Sequence, residues 1–154
     1  MGIRLDSCRH ESAHSIARQV LLGNLGEVGL RKRRAYSYPV NRRPLDEMTS
    51  EELAKIAVVV QAGIVAERTL CSNMGNESMK QYAISDDLDQ LEGIQRIAGF
   101  SDEQMEGFAQ EAAELVRSYE TAIRKTATEL NRRNRLNGEQ VTRLLEKYPS
   151  QQHS

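Results

Sequence analysis

The residues best suited to chemistry lie near the start of the chain, in the segment His10-Glu11-Ser12-Ala13-His14. This segment has the pattern H-E-x-x-H. On an α-helix, residues four positions apart differ in direction by only about 40°, so both imidazoles can reach one metal ion. Glu11 lies one step around the helix, where its carboxylate can take a proton from a water on that metal. The pattern therefore predicts a zinc ion held by His10 and His14, with Glu11 as general base.

This geometry requires a helix, and the surrounding sequence favours one. Asp6 and Ser7 are suitable N-cap residues, and Gly23 is a suitable residue to end the last turn. On a helical wheel both histidines border an apolar stripe, which predicts that they face the protein interior. The stripe consists of Ala13, Ile16, Ala17, Val20 and Leu21. The alternative is that the histidines lie at the edge of a hydrophobic core and bind no metal.

A third metal ligand would have to come from a different helix, and two acidic residues are candidates. Glu67 continues the apolar face of a helix predicted for about residues 50–70, where an isolated carboxylate is costly unless it is paired or bound to a metal. Asp87 lies on the apolar face of a helix predicted to begin at Ser85-Asp86, after a loop over residues 71–82. Burial does not choose between them, but a position at a helix start beside a loop favours Asp87.

The remaining pattern predicts a mostly α-helical domain with a small β-ribbon. Alternating residues between 28 and 40 predict a hairpin or bent ribbon, with the basic run 31–34 at its tip. An exposed edge of this ribbon would suit an extended peptide, although such basic runs are also common in solvated turns. A long helical stripe follows from about residue 101, broken once, and a short helix ends before Pro149. We expect one domain over residues 1–149 and a frayed tail at 150–154.

Composition narrows the class of protein. The chain has 154 residues, enough for one domain with a real core, and its charge is balanced at 21 Lys+Arg against 22 Asp+Glu. That balance argues against nucleic-acid binding. No apolar run is long enough to cross a bilayer, and no secretory leader is recognisable. The two cysteines have neither zinc-knuckle nor redox spacing, which favours a reducing, cytoplasmic setting.

Three segments, in this order, resemble the peptidase domain of FtsH-like ATP-dependent zinc metalloproteases. Residues 10–17 resemble the zinc-binding helix of that family. Residues 62–67, Ala-Gly-Ile-Val-Ala-Glu, resemble its glycine- and alanine-rich helix, and residues 85–88 resemble the Asn-Asp-Leu segment that carries its third zinc ligand. A weaker likeness occurs at residues 136–141, and the order and spacing agree over about residues 5–147.

The resemblance implies a zincin-like helical metallopeptidase domain with the β-ribbon next to the zinc helix. It implies His10, His14 and Asp87 as zinc ligands and Glu11 as the catalytic base. Glu67 would then hydrogen-bond a ligand histidine, or replace Asp87 as the third ligand. The sequence departs from the family at Ser12-Ala13 inside the motif and at residues 83–84 before the aspartate, where the family has small residues.

These observations lead us to expect a zinc-dependent metalloendopeptidase that cleaves unfolded or exposed polypeptide through a zinc-bound water activated by Glu11. The sequence contains no G-x-x-x-x-G-K-[ST] motif, so a motor would have to be a separate ATPase or adaptor. Assembly into a homo-oligomer is left open, and neither nucleic acid nor a membrane is expected as a partner. One alternative is a catalytically idle relative with a binding or regulatory role. Another is a helical bundle in which the motif is accidental and no metal binds.

Overall fold

The computed structural model describes residues 2–23, 26–31, 34–38, 43–70 and 77–151. Over these residues the chain is mostly helical and carries one small antiparallel sheet. The helices are α1 (Gly2–Leu22), α2 (Ser50–Leu70), α3 (Glu77–Ala98), α4 (Asp102–Ser118), α5 (Glu120–Arg133) and α6 (Gly138–Lys147). The strands are β1 (Glu27–Arg31), β2 (Arg34–Tyr38) and β3 (Arg135–Leu136), and a short 3-10 turn covers Leu45–Glu47. None of the described helices is long and apolar enough to cross a membrane.

Helix α1 carries the H-E-x-x-H segment in its interior. Its start differs from the prediction, because the helix begins at Gly2 rather than after Asp6. Leu5 and Cys8 pack against the main hydrophobic cluster, and this tertiary packing extends the helix through the expected cap. The predicted end is confirmed at Gly23, which adopts a positive φ of 61°.

Helix α2 lies at the centre of the domain, as expected for a helix with apolar residues around most of its circumference. It starts with a capping box, in which the Glu52 N–H donates to Thr49 Oγ1 and the Thr49 N–H donates to Glu52 Oε1. One face, including Leu53 and Ile64, packs against α3 and α4. The opposite face, including Val59, belongs to the main cluster with α1 and α5. Because α2 contacts helices on both sides, most of the side chains near its middle are buried.

Helix α3 overturns the predicted position of Asp87 at a helix start. The helix begins at Glu77, so Ser85-Asp86 lies inside it and does not cap it, and residues 77–82 are not a loop. Residues 71–76 of the predicted loop lie outside the described part of the chain. The segment from 77 to 84 is rich in Glu, Met, Lys, Gln and Ala, which favour helix, whereas a Ser-Asp pair is only a weak boundary signal. The helix ends before Gly99, which adopts a positive φ of 71°.

The C-terminal helices follow the predicted pattern. The long stripe is broken once, at Tyr119 between α4 and α5, and Ser101 caps α4 with a complete capping box. Helix α4 packs against α2, and α5 packs against α1. Beyond α6, the backbone N–H of Gln151 donates to the carbonyl of Ser118 at 2.7 Å, and residues 152–154 lie outside the described part of the chain.

The sheet confirms the hairpin and adds a strand that the sequence pattern does not show. Strands β1 and β2 pair antiparallel, with Leu30 opposite Ala35. Strand β3 pairs with the other side of β1, placing Val28 opposite Leu136. Two residues are too few to show the alternation that identifies a strand in sequence. Strand β2 lies against α1, so the sheet flanks the helix that carries the histidines.

Candidate metal centre

Both motif histidines face the interior, as the helical wheel predicts. His10 is 3% exposed and His14 is 6% exposed. Ala13, Ile16 and Ala17 on the same helix are fully buried. The two rings meet edge to face, with centroids 4.7 Å apart and planes at 74°. The hydrophobic contacts of α1 therefore hold the two imidazoles together at one buried spot.

Three potential metal-binding atoms converge at this spot. The Nε2 atoms of His10 and His14 are 3.0 Å apart. Asp87 Oδ2 of α3 lies 2.9 Å from the first and 3.1 Å from the second. Its neighbours Asp86 and Asp89 are exposed, so Asp87 alone of the three aspartates faces the histidines. The triangle thus joins residues from two helices that are more than seventy positions apart in sequence.

The other nitrogen of each ring is fixed by a hydrogen-bond acceptor. His10 Nδ1 donates to Glu67 Oε2 at 2.7 Å, and His14 Nδ1 donates to the backbone carbonyl of Val59 at 2.8 Å. Since a carbonyl can only accept, the Nδ1 of His14 carries a hydrogen. Both hydrogen bonds direct the Nε2 atoms toward Asp87, the arrangement that orients ligand histidines in metalloproteins. Glu67 therefore lies behind His10, on the side of the ring away from the triangle.

The triangle requires a positive charge near its centre. With Nδ1 protonated on both rings, the two Nε2 atoms and the Asp87 carboxylate oxygen present lone pairs to one another. Either a proton on one histidine or a metal ion can relieve this repulsion. Burial lowers the pKa of His10, but hydrogen bonds to Asp87 and Glu67, with the charges of Glu11 and Asp87, outweigh it and raise this pKa to about 10. Although burial favours its neutral form, Asp87 has a pKa well below the usual range because the imidazoles of His10 and His14, both within hydrogen-bond distance, favour its ionised carboxylate.

The spacing of the triangle fits a small divalent cation. In a tetrahedral zinc site with bonds of about 2.0–2.1 Å, neighbouring ligand atoms are about 3.3–3.4 Å apart. The three separations here, 2.9, 3.0 and 3.1 Å, are only a few tenths of an ångström shorter. Two imidazoles and one carboxylate are also the donor set of many zinc sites. The arrangement can hold a metal without rebuilding the helices around it.

Glu11 stands beside the histidines and is partly exposed, unlike them. One ligand-type atom of each of His10, Glu11 and His14 lies within 4.8 Å of the other two, so this group could hold a metal ion. Glu11 lies one step around α1 from His10, and it has no hydrogen bond to either histidine among those described. Its position suits a carboxylate that meets a substrate or water arriving from solvent.

Two backbone features of α2 complete the centre, and reasoning from the residue types did not identify them. They are the Val59 carbonyl, which accepts from His14, and Gly63, whose backbone contacts the His14 ring. A carbonyl gives no signal in a sequence. A glycine in the interior of an otherwise apolar helix does, since it often marks a close approach.

Comparison with protein families and with curated proteins finds no match to this chain.

Proposed function

We propose that this protein is a zinc-dependent metalloendopeptidase with a zincin-like fold, similar to the FtsH-like peptidases, that hydrolyses unfolded or exposed polypeptide. One observation carries the proposal. Three donor atoms, from His10, His14 and Asp87, lie within 3.1 Å of one another beside a partly exposed glutamate. A structural histidine pair needs neither the third donor nor the neighbouring glutamate.

The proposed ligands are His10, His14 and Asp87, with Glu67 and the Val59 carbonyl orienting the two imidazoles. Bound there, zinc would supply Lewis acidity, making a coordinated water acidic and polarising the carbonyl to be attacked. Glu67 is a poor third ligand in this arrangement, since its carboxylate already accepts the Nδ1–H of His10 at 2.7 Å. To reach the triangle it would have to break that bond and cross to the other side of the ring.

Glu11 is the proposed general base. Its carboxylate takes a proton from the attacking water as the water oxygen bonds to the scissile carbonyl carbon. It then delivers that proton to the amide nitrogen as the carbon–nitrogen bond breaks, leaving a carboxyl group and a free amine. The two transfers return Glu11 to its ionised form, so one residue serves both halves of the reaction.

The substrate we propose is a chain in extended conformation. Hydrolysis needs several residues of backbone at the site, and folded proteins offer such segments mainly at termini and locally unfolded regions. A separate ATPase or adaptor that delivers substrate, and assembly into a homo-oligomer, remain parts of the proposal suggested by the resemblance to the FtsH-like family. A cytoplasmic setting belongs to it as well.

Two measurements on the purified chain test this function. Elemental analysis after chelator-free purification is expected to find about one zinc per chain. Digestion of casein is expected without ATP, and Glu11→Gln should lower the rate by about 10²–10⁴-fold while zinc stays bound. Glu92→Gln, which makes the same change at an exposed residue of α3, serves as the control and should keep the wild-type rate.

The possible failures separate the alternatives. If zinc is bound but wild type and Glu11→Gln are equally inert on casein, the protein is a binding or regulatory module with an idle centre. If wild type binds no zinc even after zinc is added, the motif is accidental and the chain is a helical bundle. Activity that survives in Glu11→Gln would instead point to a contaminating protease.

A further inference from the structure

We propose that Gly63 is a positioning residue for His14: its missing side chain lets the imidazole lie on the backbone of α2 and aim Nε2 at the metal. This inference rests on the proposed metal site. Gly63 itself binds neither metal nor substrate, and its proposed role is to set the orientation of the ligand His14.

The first observation is the closeness of the ring to the helix. A Cβ added at Gly63 would collide with the Cε1 and Nε2 atoms of His14 and would come within 2.9 Å of its Cδ2. All three of these atoms belong to the imidazole, which is buried and held by its Nδ1 hydrogen bond to the Val59 carbonyl. The His14 ring therefore occupies the volume that any side chain at position 63 would need.

The second observation is the hydrogen bond that this closeness permits. In an α-helix the carbonyl of residue 59 faces the N–H of residue 63, so the Val59 carbonyl and Gly63 lie side by side on one turn. His14 Nδ1 donates to this carbonyl at 2.8 Å. The ring reaches the carbonyl only by lying across Gly63. An alanine there would push the ring outward, lengthen the Nδ1 hydrogen bond and turn Nε2 away from His10 and Asp87.

The other interior helical glycines of the described chain show that this role is specific. A Cβ at Gly93 of α3 or at Gly107 of α4 would meet nothing within 4 Å. Alanine normally stabilises a helix relative to glycine, so substitution at those positions should be neutral or favourable. A glycine in the middle of α2 lowers the stability of that helix. The position of the His14 ring explains why a glycine is nevertheless present there.

The test compares Gly63→Ala with Gly93→Ala in protein loaded with Co²⁺, a spectroscopic substitute for zinc. Each histidine ligand with an Nδ1–H should give one strongly shifted proton resonance in H₂O that disappears in D₂O. We expect two such resonances in wild type and in Gly93→Ala. In Gly63→Ala the resonance of His14 should shift or vanish, and Co²⁺ affinity should fall at least about tenfold, the size of effect seen when the groups that orient a ligand are lost.

A second measurement distinguishes positioning from simple damage to α2. The effect of Gly63→Ala on the melting temperature of chelator-treated protein is measured twice. Gly63→Ala is first compared with wild type, and the double variant Gly63→Ala/His14→Ala is then compared with His14→Ala. If Gly63 only makes room for the ring, the substitution lowers the melting temperature in wild type but not once the ring is gone. This arm applies even if Gly63→Ala alone does not fold, since the double variant should then fold.

Two results would overturn the inference. One is a Gly63→Ala protein with wild-type Co²⁺ affinity and both exchangeable resonances. The other is an equal loss of melting temperature in the presence and absence of the His14 ring. Neither is confused with failure of the proposed function, which would appear as wild-type protein that binds no metal at all.

Discussion

The two sides of the candidate metal centre are built differently. On one side, His10 and His14 come from a buried helix and are fixed by Glu67 and the Val59 carbonyl of α2. On the other side, Asp87 comes from α3, where its neighbour Leu88 is 48% exposed. The face of α3 that carries Asp87 also packs into the core, through Leu91 and Ile94, one and two turns further along the helix. The histidine pair is thus set by core packing, whereas the carboxylate comes from a helix with the core on one face and solvent on the other.

This difference predicts how each side of the centre would contribute to metal binding. The histidines are already directed at one point by hydrogen bonds to Glu67 and the Val59 carbonyl of α2. Asp87 has no such second contact among those described, since both of its hydrogen bonds go to the histidines themselves. Changes on the α3 side should therefore act mainly through the direct ligand, and changes on the α1–α2 side mainly through orientation.

The largest effect is expected from replacing the proposed third ligand. Asp87→Asn removes the negative charge between the two Nε2 atoms, so zinc affinity should fall by more than about 100-fold, beyond the usual cost of losing an orienting group. Glu67→Gln keeps an oxygen that can accept from His10 Nδ1 and should weaken zinc by only about 10–100-fold. Competition with a chromophoric chelator measures both. The opposite ranking would make Glu67 the ligand and would remove Asp87 from the site.

A smaller, graded effect is expected from pH. The carboxylates raise the pKa of His10 to about 10, so at neutral pH a proton competes with the metal for this residue. Zinc affinity should rise by up to about tenfold for each pH unit between 7 and 9. It should flatten toward pH 10, where His10 loses its proton even in the absence of metal.

The same shift has an opposite consequence for folding in chelator-treated protein. Because the folded-state pKa of His10 lies above its ordinary value of 6.5, protonation contributes stability below pH 6.5 that is lost as pH rises toward 10. The free energy of unfolding, from urea titrations at several pH values, should decline across this interval. A decline missing in wild type, or retained in His10→Ala, would contradict the assigned pKa.

The smallest effect is expected at Asp89, two positions from Asp87 but exposed on the other face of α3. Asp89→Asn alters the same charge on the same helix, yet solvent screens it from the triangle. Zinc affinity should change by less than about twofold. A change comparable to that of Asp87→Asn would mean that the general negative charge of α3, rather than one placed carboxylate, attracts the metal.

Local sequence was enough to predict most of the elements. The 3.6-residue period predicted α2 at Ser50–Leu70, and it predicted one break in the long C-terminal stripe, which the structure places at Tyr119 between α4 and α5. Patterns of this kind are reliable because they record which face of each helix is buried. They failed at the starts of two helices, α1 and α3, where Asp6 and Ser85 are good caps by type. The packing of Leu5 extended α1, and favourable helix formers extended α3, beyond both of them.

The sequence by itself determined that His10 and His14 share a helix face, because a spacing of four residues fixes that locally. It also placed Asp87 and Glu67 on inward faces, but it could not choose between them. Only the tertiary structure separated the two carboxylates, placing Asp87 at the Nε2 atoms and Glu67 at the Nδ1 atom of His10. The contact of Gly63 with His14 was decided there as well, since the distance between two helices depends on how their surfaces pack and has no periodicity to read.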